Sequence, residues 1–351
     1  MSMYIEALPA PGTTHIEKQA YAHCVNLKSV VISNSVKTIC ECAFEDCQSL
    51  QLVTIGNSVE TIGEKAFRCC INLESVNIGN SVQTIGVKAF QNCESIKSIN
   101  IGNSVQTIGE SAFEECSCLH SVIIGNSVKT IGDSAFEECY SLKSVTIGNS
   151  VENIKYCAFR YCTSLHSISI PSSVKRISNG AFGNCEKLQS VTIPNSVKTI
   201  GERAFEDCNS LKSVTIPNSV ETIEMSAFFS SGLQSIIIPN SIKTIPMNTF
   251  KYCDKLQSVT IPNSVETIGE NAFYSCRSLE NINIPNSVKT IEECAFKYCE
   301  KLQSVTIPNS VETIGEQVFK DCSALKSATI PKHLEEKVEV FPKHTEIIVC
   351  E

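Results

Sequence analysis

Residues Leu188–Ser210 read LQSVTIPNSVKTIGERAFEDCNS, and this 23-residue phrase recurs along nearly the whole chain of 351 residues. With the leucine as position 0, full units start at Leu27, Leu50, Leu73, Ile96, Leu119, Leu142, Leu165, Leu188, Leu211, Leu233, Leu256, Leu279 and Leu302, thirteen in all. A half unit carrying Ile16, Ala20, Tyr21 and Cys24 precedes them, and a fourteenth begins at Leu325 and dissolves after Pro331. Such periodicity outranks length as a guide to domain count.

Within a unit the apolar residues are not spread evenly. Leu211, Val214 and Ile216 occupy positions 0, 3 and 5, where the Val/Ile alternation predicts a short strand with one face inward. Pro or Gly follows, then Asn-Ser, a turn signal. Val197, Ile200, Ala204, Phe205 and Cys208 continue at positions 9, 12, 16, 17 and 20. The last four have the spacing of one or two helical turns with a single buried face. No unit can cover these residues alone, so neighbouring units must stack.

The Leu-x-x-Val-x-Ile frame of Leu211, Val214 and Ile216, joined to its Ile-Gly-x-x-Ala-Phe-x-x-Cys half, closely resembles the BspA-like (Treponema pallidum-type) leucine-rich repeat family over about residues 13 to 331. The resemblance implies an α/β repeat solenoid: a right-handed superhelix with one parallel sheet and short helical or 3₁₀ turns opposite. It divides the chain into an N-terminal half-repeat cap (1–26), the solenoid (27–331) and a C-terminal cap (332–351). No internal boundary is expected, although position 6 changes from Gly (Gly56 to Gly148) to Pro (Pro171 to Pro331). Family members are often surface or secreted adhesins, so the implied function is a non-enzymatic scaffold for protein–protein binding. An intracellular structural or adaptor component stays open beside it.

Thirteen of the twenty cysteines occupy position 20, from Cys24 and Cys47 to Cys299 and Cys322. Stacking places them in one column. Equivalent side chains in a column lie parallel rather than facing, which argues against disulfides. A straight file offers no tetrahedron for zinc. Packing as small buried hydrophobes is the better reading, and on that reading a serine replacement should cost more than an alanine because it buries a hydroxyl. Cys40, Cys42, Cys69, Cys118, Cys157, Cys294 and Cys350 lie outside the column and read as incidental thiols.

Other chemistry is sparse. A net charge of −8 argues against nucleic acid or an anionic membrane surface as main partner. No apolar run reaches the roughly 18 residues of a membrane helix. The first residues, MSMYIEALPAPGTT, do not read as a signal peptide. That and the thiols point to the cytoplasm, while the family resemblance points to the surface or secretion. Phosphate loops, nucleophile elbows and paired-carboxylate motifs are missing, so no catalytic residue, cofactor or metal is expected. The sheet face is serine and threonine, poor in binding hot spots. Phe229, Tyr252, Tyr274 and Tyr298, at positions 18 or 19 of four successive units, are the candidate partner-binding residues. Glu110, Glu114, Glu115, Asp133, Glu137 and Glu138 form an acidic ridge, a weaker candidate. The chain is expected to be a monomer, or to self-associate weakly through its ends.

Overall fold

The computed structural model describes residues 12–350. The first eleven residues of the expected N-terminal cap, and most of the stretch read for a leader, lie outside the described residues. The described chain forms two compact units. One runs to Ile177 and includes Ala181–Leu188, and the other comprises Ser178–Gly180 and the chain from Gln189 onward.

In the first unit each 23-residue repeat makes one coil with two strands. The Leu-x-x-Val-x-Ile segments form parallel sheets, Ser29–Ile32 with Leu52–Ile55 and Ser75–Asn77, and Ser98–Ile101 with Ser121–Ile124 and Ser144–Thr146. The Thr-Ile pairs form a second parallel ladder, from His15–Ile16 through Thr38–Ile39 and Thr130–Ile131 to Asn153–Ile154 and Arg176–Ile177. Register is strict: each residue faces its counterpart one repeat on, Ile62 against Ile85 for example. Position 12, read as the start of a helical face, thus belongs to a strand, and this second ladder adds to the one expected sheet.

The third limb is made of turns rather than helices. In every described coil the residues at positions 15 and 19 are left-handed, Lys65 (φ 53°) and Cys69 (φ 58°) being typical. A left-handed residue every four positions stops a helix from propagating. It also divides the backbone donors. The amides of Lys65, Phe67 and Cys69 bond across to Val87, Ala89 and Gln91 of the next coil at 2.8–2.9 Å. Those of Ala66, Arg68 and Cys70 bond back within their own coil to Gly63, Lys65 and Phe67 at 3.1–3.3 Å. The turn limb is therefore itself stitched from coil to coil. It still points Ala66, Phe67 and Cys70 inward, all fully buried, as the spacing requires.

Phenylalanines at position 17 form an internal stack in each unit. In the first unit, Tyr21, Phe44, Phe67, Phe90, Phe113, Phe136, Phe159 and Phe182 lie parallel with centroids 5.1–5.7 Å apart. The second unit repeats the arrangement, Phe205 through Phe319, and Phe341 from the C-terminal segment continues it 5.2 Å beyond Phe319.

The second unit has the same three limbs with shorter strands. Proline at position 6 has no amide to extend the ladder, and its strands, such as Ser190–Thr192 and Ser258–Thr260, stop at three residues. Gly at that place keeps its amide, as at Gly125, which follows a four-residue strand and bonds Ile101 at 2.9 Å. At the C-terminal end, the 3₁₀ segment Lys332–Val340 buries Leu334 and Val340, and the strand Glu346–Cys350 pairs in parallel with Ser327–Pro331.

Candidate partner-binding site

The column cysteines do more than fill space. All twenty cysteines are free thiols, and twelve of the thirteen in the column are buried. Cys24 is exposed, since no coil precedes it among the described residues. Eleven of the column thiols donate to the position-17 carbonyl of the preceding coil, among them Cys70 to Phe44 at 3.2 Å, Cys116 to Phe90 at 3.4 Å and Cys322 to Phe296 at 3.1 Å. These eleven thiols therefore point along the column in one sense. Burial pushes Cys185 and Cys253 up to about 12 and raises Cys116, Cys139 and Cys276 as well. These are inert thiols at neutral pH, without the thiolate that redox or metal chemistry needs. Among the described residues no group of His, Cys, Asp or Glu could hold a metal ion. No helix there is long and apolar enough to cross a membrane.

The four aromatics singled out from the sequence come together. Phe229 meets Tyr252 edge-on at 5.4 Å, Tyr252 meets Tyr274 at 5.6 Å, and Tyr274 meets Tyr298 at 5.4 Å, with interplanar angles of 73–87°. The alternation between positions 18 and 19 produces this geometry. Tyr252 and Tyr298 sit on left-handed residues (φ 62°) and the other two do not, so successive rings turn against one another. Backbone bonds lock the spacing, including Tyr252 N–H to the Tyr274 carbonyl at 2.8 Å. Each edge-to-face pair is worth roughly 0.5–1.5 kcal/mol beyond its burial. The rings are partly covered by one another yet remain a surface: Tyr252 is 42% exposed, and the other three are half-buried.

Sequence reading passed over the residues around this row. The Lys251 ammonium lies 5.4 Å from the Tyr252 ring centre and 4.8 Å from that of Tyr274. Lys297 lies 5.3 Å from Tyr298 and donates to Gln317 Oε1 at 2.7 Å. Cation–π contacts of this kind hold a lysine stem against a ring face. Met225 and Met247 stand at position 14 of the two coils that begin the row, 48% and 38% exposed. Their signal was legible: they interrupt a position that the other full coils of the second unit fill with Glu202, Glu270, Glu293 and Glu316.

Several carboxylates of the acidic ridge accept hydrogen bonds from neutral donors. Gln91 donates to Glu114 at 2.6 Å, Tyr140 to Glu138, and the Tyr156 amide to Asp133 at 3.0 Å. Burial, with the nearby Glu138 and Glu114 charges adding, raises the Glu115 carboxyl.

Parallel strand ladders, a 23-residue period and inward Leu, Ile and Phe columns define a leucine-rich repeat protein. The chain belongs to the BspA-type leucine-rich repeat family, whose sequence pattern matches residues 14–143, 129–256 and 243–341. A leucine-rich repeat protein from Bacteroides ovatus is 29% identical, with a TM-score of 0.79 over 99% of this chain and 92% of its own. A leucine-rich cell surface protein from Faecalibacterium prausnitzii is also 29% identical, with a TM-score of 0.50 over 87% of this chain and 79% of its own. A Eubacterium ventriosum leucine-rich repeat protein, 22% identical with a TM-score of 0.54, shares the fold over 85% of this chain and 83% of its own. No curated protein matches the chain.

Proposed function

We propose that the protein is a non-enzymatic scaffold that binds another protein, in an adhesin-like manner, along the row Phe229, Tyr252, Tyr274 and Tyr298. The carrying observation is the row itself, four rings in edge-to-face contact interleaved with two lysine ammoniums. Half-buried rings lose little freedom on binding and bring large contact areas, which is why aromatic residues dominate interface energetics. Exposed Met225 and Met247, in the first two of the same coils, offer further apolar surface with side chains that adapt to an irregular partner. Family membership supports a binding rather than a catalytic role, and the Faecalibacterium relative, a cell surface protein, supports a cell-surface setting.

The test is a pull-down of native partners with a Tyr252→Ala/Tyr298→Ala variant, beside a control altering Thr215 and Thr260 on the sheet face. Loss of two of the four aromatics should weaken capture by roughly 30-fold or more, the scale of hot-spot truncation. The control should capture normally. If the threonine changes abolish capture and the tyrosine changes do not, the site lies elsewhere.

A further inference from the structure

The coil Leu211–Gly232 is one residue shorter than its neighbours, ending Ser231-Gly232 before Leu233. The deletion draws the chain inward: a Cβ on Gly232 would stand 2.1 Å from the Asn209 carbonyl oxygen. At the seam with the next coil neither strand ladder continues, and the first ladder lapses between full-length coils too, as between Ser75–Asn77 and Ser98–Ile101. Ser213–Pro217 keeps a single bridge to the preceding coil, Thr215 to Thr192, and no ladder joins it to Ser235–Ile237. On the other limb, Thr222–Ile223 does not pair with Thr244–Ile245. Here Pro246 stands where Gly269 and Glu224 use their amides to bond the preceding coil at 2.8 and 2.9 Å. The turn limb stays closed, with Phe228 stacked between Phe205 and Phe250 at 5.5 and 5.7 Å.

Where the first ladder parts, a groove of about 940 Å³ opens, reaching from Asn195 to Asn283. Its size is that of a small-molecule site rather than a crevice between side chains. No ionisable side chain lines it, although charged residues make up 19% of the chain. The carboxamides of Asn195, Asn218, Asn240, Asn263 and Asn283 line it instead, with serine and threonine hydroxyls between them. Asn218 Oδ1 accepts the Asn240 amide at 3.3 Å, which ties part of this array to the backbone. At the centre stands Ile237, 69% exposed, in a position that neighbouring coils fill with Thr192, Thr215, Thr260 and Asn283. In the first unit Ile123 takes the same position, but there the ladder is unbroken on both sides.

We propose that this groove binds a neutral oligosaccharide. Carboxamides and hydroxyls both donate and accept, matching a ligand whose hydroxyls do the same at every step. The exposed Ile237 supplies an apolar platform for the C–H face of a sugar ring. The absence of charge disfavours phosphate, sulfate and carboxylate ligands, which need cationic partners. An extended peptide fits less well, because its alternate side chains need pockets, and Ile237 protrudes at the centre of the groove. The site is independent of the aromatic row and stands or falls separately.

The experiment titrates the full chain calorimetrically with maltohexaose, cellohexaose, laminarihexaose and mannohexaose, and with an uncharged Asn/Ser/Thr/Gly decapeptide. At least one hexasaccharide should bind with a Kd between about 10 μM and 1 mM. Ile237→Asp, and separately Asn240→Ala/Asn263→Ala, should raise that Kd about tenfold or more. Ile123→Asp and Tyr252→Ala/Tyr298→Ala should leave it unchanged, and retained thermal midpoints would exclude misfolding. The inference is overturned if no hexasaccharide binds, if the groove variants bind as tightly as the parent, or if the decapeptide binds in the groove in preference to the sugars.

Discussion

At the scale of single residues, the cysteine column shows how a packing position also becomes a hydrogen-bonding one. A position-17 carbonyl such as that of Phe67 accepts the Cys70 amide at 3.3 Å within its coil and the Cys93 thiol at 3.1 Å from the next. Serine was expected to fare worse than alanine here, but the thiol has an acceptor that a hydroxyl can also use. The chain contains one natural instance. Ser231 takes the column position in the short coil, is buried, and contacts Cys253 Sγ at 3.3 Å. Cys116→Ala should therefore lower stability by about 1–2 kcal/mol, through a small cavity and the lost donor. Cys116→Ser should cost less than the alanine change. Chemical denaturation midpoints of the two variants decide the order.

At the scale of elements, most of what holds neighbouring coils together is repeated backbone and side-chain bonding. The position-7 asparagines form a ladder, Asn34 Oδ1 accepting the Asn57 amide at 2.7 Å and Asn103 Oδ1 that of Asn126 at 3.0 Å. Some position-8 serines donate to the carbonyl at position 9 of the coil before, Ser264 to Ile242 at 2.7 Å and Ser287 to Val265 at 2.6 Å, whereas the Ser219 and Ser310 hydroxyls are buried without a partner. The alternating charges at position 10 pair unevenly: Lys198 meets Glu221 at 2.7 Å and Lys289 meets Glu266 at 3.2 Å. Such exposed pairs contribute under about 1 kcal/mol. The C-terminal segment is another matter. Phe341 covers the ring of Phe319, and Glu346–Cys350 covers the edge of Ser327–Pro331. Removing residues 336–351 would bare that ring and leave an unpaired apolar strand edge, which invites self-association. The truncated chain should aggregate, as read by light scattering. A monodisperse and equally stable product would show the segment to be dispensable.

At the scale of the whole molecule, the buried thiols set a pH limit. In the folded protein Cys185 and Cys253 hold their protons up to about 12, against an ordinary value of 9.0. Above pH 9 the unfolded chain releases these protons while the folded one keeps them. Stability is thus fully present below about pH 9 and falls as pH rises from there toward 12. Thermal midpoints should decline over that window, and a Cys185→Ala/Cys253→Ala variant should decline less steeply. A parent with flat midpoints to pH 11 would contradict this account. The same molecule separates what is legible in a sequence from what is not. Stacking, the inward set and the Phe and Cys columns followed from spacing alone, because a 23-residue period with fixed apolar positions can bury itself only against its own copies. The gathering of Phe229, Tyr252, Tyr274 and Tyr298 was legible for the same reason. The turn limb was not: apolar spacing at positions 12, 16, 17 and 20 suits a helix equally well. The choice fell to inter-coil amide bonds, which reward left-handed residues at positions 15 and 19 only once a neighbouring coil is present. The missing residue before Leu233 pointed to a local kink near Gly232, but not to which limb would yield. Tertiary packing decided that, holding the Phe stack closed while the strand ladders parted, because stacked rings tolerate a few tenths of an ångström and backbone hydrogen bonds require register.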